Sequence, residues 1–170
     1  MIYLGLGSNL PSSFGDRIAN INFAIELLKE NNIKIIKKSS YYETPSYPNN
    51  KHPKFINIVI KINTTLKPKE LVAIIISIES KLERERGKKN DPRTCDIDII
   101  DFNNKVLNFK HNNLPFNIPH KKLIYRNFVL YPLLELNPRW RHPKSNIFIK
   151  DLIKKITDKD KKSILKIQKD

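Results

Sequence analysis

The sequence predicts an α+β protein with a ferredoxin-like β-α-β-β-α-β sandwich and additional C-terminal helices. Two segments space their apolar residues as helices do, and four others show the apolar runs or the alternation of strands. Their order along the chain matches the split β-α-β sandwich. The length of 170 residues suits one domain, so we expect a single domain over 1–156 and a basic, frayed tail over 157–170.

The first half of the chain supplies a strand, a helix and two further strands. Residues 2–7 predict a strand that ends at Gly-Ser-Asn, and residues 17–31 place isoleucines and leucines on one helical face. Segments 33–43 and 55–65 alternate apolar and polar residues, as half-buried strands do. The Pro- and Asn-rich stretch between these two segments predicts a loop.

The second half begins with a helix and continues with shorter elements. Pro68 suits the first turn of a helix that we expect to reach about residue 86. The stretch GKKND interrupts this helix and predicts a mobile loop, and residues 94–102 follow as a strand. Residues 119–136 predict one or two short helices.

Two acids in this last strand are unusual because the residues around them are apolar. Side chains alternate across a strand, so Asp96, Asp98 and Ile100 share one face. We expect Asp101 on the opposite face. Carboxylates at this spacing repel by about 2 to 3 kcal/mol at an effective dielectric of about 20, so a positive partner is expected. That partner is either Arg93, in an ordinary ion pair, or Mg²⁺, and spacing alone does not separate them.

The basic residues of the chain indicate a phosphate site better than a nucleic-acid surface. The formal charge of +15 comes almost entirely from lysine, as in a chain with a compositional bias, so we expect no nucleic-acid binding. Arginine is more informative because its planar guanidinium binds phosphate through two hydrogen bonds. Six of the seven arginines lie from residue 84 onward: Arg84, Arg86, Arg93, Arg126, Arg139 and Arg141. Arginines beside paired acids suggest a polyphosphate site with a metal ion.

The chain carries no signal for a membrane or for secretion. No apolar run approaches the ~20 residues of a membrane span, and the N-terminus lacks the basic region of a secretory signal. Cys95 is the single cysteine, so no internal disulfide can form. We therefore expect a cytoplasmic protein without membrane contacts, and we expect it to be a monomer.

Short motifs follow one another in a characteristic order over residues 2 to about 143: GLGSN, ETP, FIN, PRTCDIDII, IPH and RNFVLYPLLEL. This combination resembles the 6-hydroxymethyl-7,8-dihydropterin pyrophosphokinase family of folate biosynthesis. The resemblance implies a catalytic domain over 1–156 that moves the β,γ-pyrophosphoryl group of ATP onto the pterin hydroxymethyl oxygen and releases AMP. It also implies two Mg²⁺ ions, with ATP and the pterin as small-molecule partners.

The resemblance assigns roles to individual residues. Asp96 and Asp98 would be the metal ligands, and Arg84 and Arg93 the catalytic arginines. ATP contacts are implied for Glu79, Arg86, His120 and Arg126. Pterin contacts are implied for Thr44, Pro45, Phe55, Asn57 and Phe128, with the two phenylalanines on opposite faces of the ring. Gly7, Ser8 and Asn9 are expected to form the turn below this pocket.

Plainer interpretations of the same residues stay open. Both phenylalanines also fit a hydrophobic core, Glu79 fits a surface ion pair, and His120 fits a structural turn. The loop GKKND lacks the tryptophan that many members of the family carry there. An RNA-binding module of this fold would need aromatics on exposed strands, and a regulatory domain would need neither the acid pair nor the arginines.

Overall fold

The structure, a computed structural model, describes residues 1–85 and 91–167. Its strands are β1 (Ile2–Ser8), β2 (Lys34–Lys38), β3 (Tyr42–Thr44), β4 (Phe55–Asn63), β5 (Asp96–Phe102), β6 (Leu107–His111), β7 (Leu114–Ile118) and β8 (Leu165–Lys166). Its helices are α1 (Arg17–Glu30), α2 (Pro68–Lys81), α3 (Asn127–Leu136), α4 (Ile149–Lys154) and α5 (Asp158–Ser163), with a 3₁₀ turn at Leu123–Tyr125.

An antiparallel sheet forms the centre of the molecule. β1 lies between β4 and β5 and pairs with both. β2 and β3 pair with successive parts of β4, and β8 pairs with β3 at the far edge. β6 and β7 form a separate hairpin. The strand order β5-β1-β4 places the end of β1 beside the beginnings of β4 and β5.

Helices cover both faces of the sheet, and each face has its own hydrophobic core. On one face, α1 and α2 pack against β1 and β4 through residues such as Leu28, Leu71 and Ile58. On the other face, α3 and α4 pack through residues such as Leu130 and Leu152. Because both faces are buried, the central strands are almost continuously apolar, as the sequence of β4 shows.

The first two helices begin where the sequence predicts, and a 3₁₀ turn and α3 occupy the segment 119–136 predicted as one or two short helices. Asp16 caps α1, since its carboxylate accepts a hydrogen bond from the Ala19 N–H at 2.8 Å. Pro68 occupies the first turn of α2. The predicted end of α2 near residue 86 is wrong, because this helix ends at Lys81. Glu83 then takes a left-handed backbone conformation with φ of 60°, which turns the chain away from the helix axis.

The segment 33–43, predicted as one strand, is two. Ser39 separates them: its N–H donates to the Val59 carbonyl at 2.9 Å, and its hydroxyl accepts from the Val59 N–H at 3.0 Å. The serine side chain thus replaces a backbone acceptor, and the chain shifts before β3 begins at Tyr42. The hairpin of β6 and β7 and the helix α4 were not predicted.

The C-terminal segment differs from its prediction. Residues 157–167 do not fray: they contain α5 and β8. Asn127 of α3 donates from Nδ2 to the Asp160 carbonyl at 2.6 Å, which attaches α5 to the domain. The expected frayed tail is therefore wrong over these residues, and residues 168–170 lie outside the described range.

A β-bulge in β5 corrects the expected position of Asp101. Tyr3 pairs with Asp101 and Leu4 pairs with Ile99, so Ile100 is an extra residue in the ladder. Beyond the bulge, Asp101 lies on the same face as Tyr3, and its Oδ2 accepts a hydrogen bond from Trp140 Nε1 at 2.8 Å. We expected Asp101 on the opposite face, and this expectation was wrong because the bulge changes the alternation.

Over residues 1–85 and 91–167, no helix combines the length and the apolar character that crossing a membrane requires.

Candidate active site

Glycines of β1 form the floor of the candidate site. Asn57 of β4, Gly7 of β1 and Asp96 of β5 are paired neighbours across three strands, so they share one face. Gly5 pairs with Asp98 in the next row. A Cβ atom at Gly7 would lie 3.1 Å from Asn57 Oδ1, which is too close for ordinary packing. The glycines therefore allow the Asn57 amide and the Ile100 side chain to pack directly against the backbone of β1.

Three arginines neutralise the two acids. Arg84 Nη1 lies 2.8 Å from Asp96 Oδ1, and Arg93 Nη1 lies 3.1 Å from Asp96 Oδ2. Arg126 Nη1 lies 2.9 Å from Asp98 Oδ2. The residues that the sequence predicted as metal ligands and as phosphate-binding arginines therefore meet in one cluster. This arrangement includes the ion pair of Arg93 that the sequence left open.

Glu79 bonds both Arg84 and the backbone of β5 next to the two acids. Its carboxylate is buried, accepts the Ile97 N–H at 2.9 Å and forms a short contact with Arg84. Ile97 lies between the two acids on an edge strand, so Glu79 satisfies a backbone donor that would otherwise have no ladder partner. Although burial opposes it, Asp96 and Glu79 raise the pKa of the Arg84 guanidinium. The alternative interpretation of Glu79 as a surface ion pair is wrong, because the pair with Arg84 is buried, and its predicted ATP contact stays a prediction.

His120 and Arg126 lie on the α3 side of the acids. Burial and the neighbouring Arg126 guanidinium lower the pKa of His120, so its imidazole is neutral at neutral pH. His120 Nδ1 accepts the Lys122 N–H at 3.0 Å, which leaves the proton on Nε2. Arg126 Nη2 lies 3.4 Å from this Nε2. A neutral imidazole thus stands beside the Arg126 guanidinium and near Asp98.

The residues predicted to bind the pterin lie beside the floor. Asn57 Nδ2 donates to Thr44 Oγ1 at 3.0 Å, and both side chains are buried. Pro45 follows β3 and is exposed. The half-buried rings of Phe55 and Phe128 each lie near a guanidinium: Arg93 is 5.6 Å from the first ring centre and Arg126 is 5.5 Å from the second.

The cluster of aromatic and polar side chains is thus joined to the acids through Arg93 and Arg126. An ATP contact was predicted for Arg86 and a mobile loop for residues 87–91, and residues 86–90 lie outside the described residues.

The acids fit a hard divalent cation that completes its shell elsewhere. Among the described residues, no group of three or more His, Cys, Asp or Glu side chains could hold a metal ion. Partial burial and the nearby Asp96 carboxylate raise the pKa of Asp98, so a positive charge there would relieve repulsion. Mg²⁺ commonly takes one or two carboxylates and fills its other positions with water and substrate phosphates.

Comparison with known proteins identifies the family. Residues 3–138 match the family model described as 7,8-dihydro-6-hydroxymethylpterin-pyrophosphokinase (HPPK). The chain belongs to the HPPK family. It is therefore an enzyme of the pyrophosphokinase class, and the predicted family is confirmed.

Two relatives are similar to this chain over most of its length. The chain is 39% identical over 142 residues to the 2-amino-4-hydroxy-6-hydroxymethyldihydropteridine pyrophosphokinase of Aquifex aeolicus, across 84% of this chain and 83% of the relative. It is 35% identical over 164 residues to the folic acid synthesis protein fol1 of Pneumocystis carinii, across 96% of this chain. That match covers 21% of the relative, so the chain spans about a fifth of the fungal protein's length.

A solved structure shares the fold. The wild-type HPPK-DHPS of Plasmodium falciparum with SDX-DHP has a TM-score of 0.75 and 17% identity, over 98% of this chain and 47% of that chain. This likeness supports a mixed α/β fold with an antiparallel sheet.

Sequence reasoning did not foresee two features of this HPPK site. Glu79 was expected at ATP, and its bonds to Arg84 and the Ile97 N–H were not anticipated. Asn9 was assigned only to a turn, although its side chain bonds two segments of the site, Arg93 and Pro53. The signal was a polar residue directly after a buried strand, which requires a hydrogen-bonding partner.

Proposed function

We propose that the chain is 2-amino-4-hydroxy-6-hydroxymethyl-7,8-dihydropteridine diphosphokinase, which transfers the β,γ-pyrophosphoryl group of ATP to 6-hydroxymethyl-7,8-dihydropterin in tetrahydrofolate biosynthesis. The products are AMP and the pterin diphosphate. One observation carries the proposal: Asp96 and Asp98 contact three arginines on the same sheet face as Asn57. The name of the Aquifex aeolicus relative supports the same reaction.

The arginines would bind and orient the phosphates of ATP. Pyrophosphoryl transfer requires little covalent chemistry from the protein, so positioning and charge neutralisation dominate catalysis. Arg84 and Arg93 approach Asp96 from two sides, which suits a group transferred directly above it. Arg126, with the neutral His120 beside it, would contact the nucleotide side, as would Arg86 and Glu79 by resemblance to the family.

Asp96 and Asp98 would hold Mg²⁺, two ions by resemblance to the family. When bound there, Mg²⁺ would neutralise phosphate charge and orient the phosphates for in-line transfer. In the structure, Asp96 and Asp98 form ion pairs with Arg84, Arg93 and Arg126. Binding of MgATP would therefore exchange partners, with the guanidinium groups passing to phosphate oxygens.

The pterin would occupy the space beside Asn57. A flat bicyclic ring requires aromatic faces, which Phe55 and Phe128 would supply. Asn57 and Thr44 are already bonded to each other at 3.0 Å, so their remaining polar groups are fixed in direction for the pterin amide edge. Pro45 would contribute to the pocket wall.

The test is AMP formation from ATP by the purified chain. We expect AMP only when 6-hydroxymethyl-7,8-dihydropterin and Mg²⁺ are both present, with omission of each component as the control. AMP formation without the pterin, or none with all components, would contradict the proposal. Filter binding with a generic RNA, expected to show no specific retention, separates the rival RNA-binding function.

We also infer that the strand order belongs to the ferredoxin-like arrangement, with β5-β1-β4 followed by β2 and β3 in place of one strand. A monomer in the cytoplasm remains our expectation, and sedimentation analysis tests the oligomeric state.

A further inference from the structure

Asn9 lies directly after β1, and its side chain is almost fully buried at 1% exposure. Its backbone N–H donates to the Arg93 carbonyl at 3.0 Å. Its Oδ1 accepts the Arg93 N–H at 2.7 Å. One residue therefore bonds both backbone polar groups of Arg93, and the Leu10 N–H adds a longer contact of 3.2 Å to the same carbonyl.

The same side chain reaches the segment that precedes β4. Asn9 Nδ2 donates to the Pro53 carbonyl at 3.0 Å. Pro53 lies two residues before Phe55, where β4 begins. The two polar ends of one amide thus connect the loop on the proposed pterin side with the segment that carries Arg93.

The position of the Arg93 backbone matters because its side chain has two partners. Its Nη1 lies 3.1 Å from Asp96 Oδ2, and its guanidinium lies 5.6 Å from the centre of the Phe55 ring. Arg93 itself stands before β5, which begins only at Asp96. Strand pairing therefore does not fix Arg93, and a displacement of about 1 Å at a reacting site can lower turnover on the order of 100-fold.

We infer that Asn9 is a positioning residue that acts through Arg93 and joins its position to that of the loop at Pro53. The inference rests on the proposed function, in which Arg93 contacts the transferred group. Asparagine suits this place because its amide accepts at one atom and donates at the other. Alanine offers neither group, and serine is too short to reach both partners.

A double-mutant cycle tests the inference by turnover. We expect Asn9→Ala to lower kcat about 10-fold in the parent and less than about twofold in an Arg93→Ala background, because the two residues act as a unit. Asn9→Ser enters the same cycle if the alanine variant does not fold. An equal reduction in both backgrounds would overturn the inference, as would unchanged kcat in the parent background.

Asn137 provides the matched control. Its Nδ2 donates to Tyr3 OH at 3.1 Å and its Oδ1 accepts the Arg139 N–H at 3.2 Å, so it makes the same kinds of bond far along β1 from Asn9. Asn137→Ala should lower stability while leaving kcat close to that of the parent. A comparable loss of kcat in this variant would assign the effect of Asn9 to stability alone.

Amide hydrogen exchange of the Arg93 N–H gives a readout that needs no substrate. We expect exchange to accelerate at least about 10-fold in Asn9→Ala or Asn9→Ser, and not in Asn137→Ala, because only Asn9 holds this donor. Unchanged exchange would overturn the inference whatever reaction the enzyme performs. Conversely, a parent that forms no AMP would refute the proposed function, while the exchange measurement would still decide the role of Asn9.

Discussion

Asp98 carries a charge that the fold alone does not favour. Partial burial and the Asp96 carboxylate raise its pKa, so the ionised group is held against a cost that Arg126 partly offsets. We expect Asp98→Asn to lower turnover at least about 100-fold while the melting temperature stays close to that of the parent. Thermal melting and AMP formation at saturating Mg²⁺ measure the two effects.

Asp101→Asn is the control on the same strand. Its carboxylate bonds Trp140 on the α3 side, beyond the bulge and away from the arginines, so turnover should be retained. Near-normal turnover in Asp98→Asn would remove Asp98 from the proposed metal site.

The shape of the guanidinium at Arg93 can be separated from its charge. Arg93→Lys keeps the charge but loses the planar fork, so we expect a loss of about 1.5 to 3 kcal/mol in transition-state stabilisation, or 10- to 150-fold in kcat/KM. Steady-state kinetics with ATP and the pterin measure it. The exposed Arg139→Lys is the control. If Arg93→Lys equals the parent while Arg93→Ala does not, a point charge is sufficient.

One acid connects three elements near the sheet edge formed by β3 and β8. Glu135 of α3 accepts hydrogen bonds from the Tyr42 hydroxyl at 2.8 Å and from the Ser40 N–H and hydroxyl at 3.0 Å, and Lys166 of β8 lies 3.4 Å away. Although partial burial opposes it, these hydrogen bonds lower the pKa of Glu135. Protonation of this carboxylate therefore weakens the junction of α3, β3 and β8.

A pH series tests this junction. The pKa of Glu135 is lower in the folded protein than in the unfolded chain. Its contribution to the free energy of unfolding is therefore present above the unfolded pKa of about 4.3 and is lost as the pH falls through the folded pKa. Glu135→Gln should be less stable than the parent by about 1 kcal/mol at pH 7, with the difference shrinking below about pH 4.5. Urea unfolding measures it, with the exposed Glu30→Gln as control. If the stability difference between Glu135→Gln and the parent does not change with pH, the ionised carboxylate is not the source of the stabilisation.

The elements differ in how far their sequences predict them. β1, α1, β4 and β5 carry strong apolar patterns, and their predicted positions agree with the structure within a few residues. The hairpin of β6 and β7 was missed because its strands are short and one contains Pro115. Its signal was the pair Asn112 and Asn113 at a two-residue turn, where φ is 48° and 60°.

The site was predictable as far as it depends on a single segment. Asp96 and Asp98 follow from alternation within one strand, and the other site residues came from the order of the family motifs. The bonds of Asn9 to Pro53 and of Glu79 to the Ile97 N–H join distant parts of the chain. No local pattern encodes such contacts, so they required the structure.

For the whole molecule, the formal charge of +15 opposes the compact state and attracts ATP. Salt screens both effects, so raising NaCl from about 20 to 200 mM should increase the melting temperature and also raise KM for ATP. Thermal melting and initial rates measure these opposite changes. An uncharged osmolyte at equal osmolality is the control. A melting temperature that falls with salt would show that attractive ion pairs outweigh the general repulsion.

The bulge at Ile100 makes β5 one residue longer than its ladder with β1 requires. Asp98 faces the site and Asp101 meets Trp140 on the same side of the sheet only because one residue between them lies outside the ladder. Removal of Ile100 would leave a regular ladder in which Asp101 still pairs with Tyr3, whereas one further residue inserted here without a second bulge would turn Asp101 and Phe102 to the opposite sides of the sheet. Relatives that lack one residue here are therefore expected to keep both acids on the same side of the sheet, and an alignment should place that gap at Ile100 so that the partner of Trp140 stays aligned.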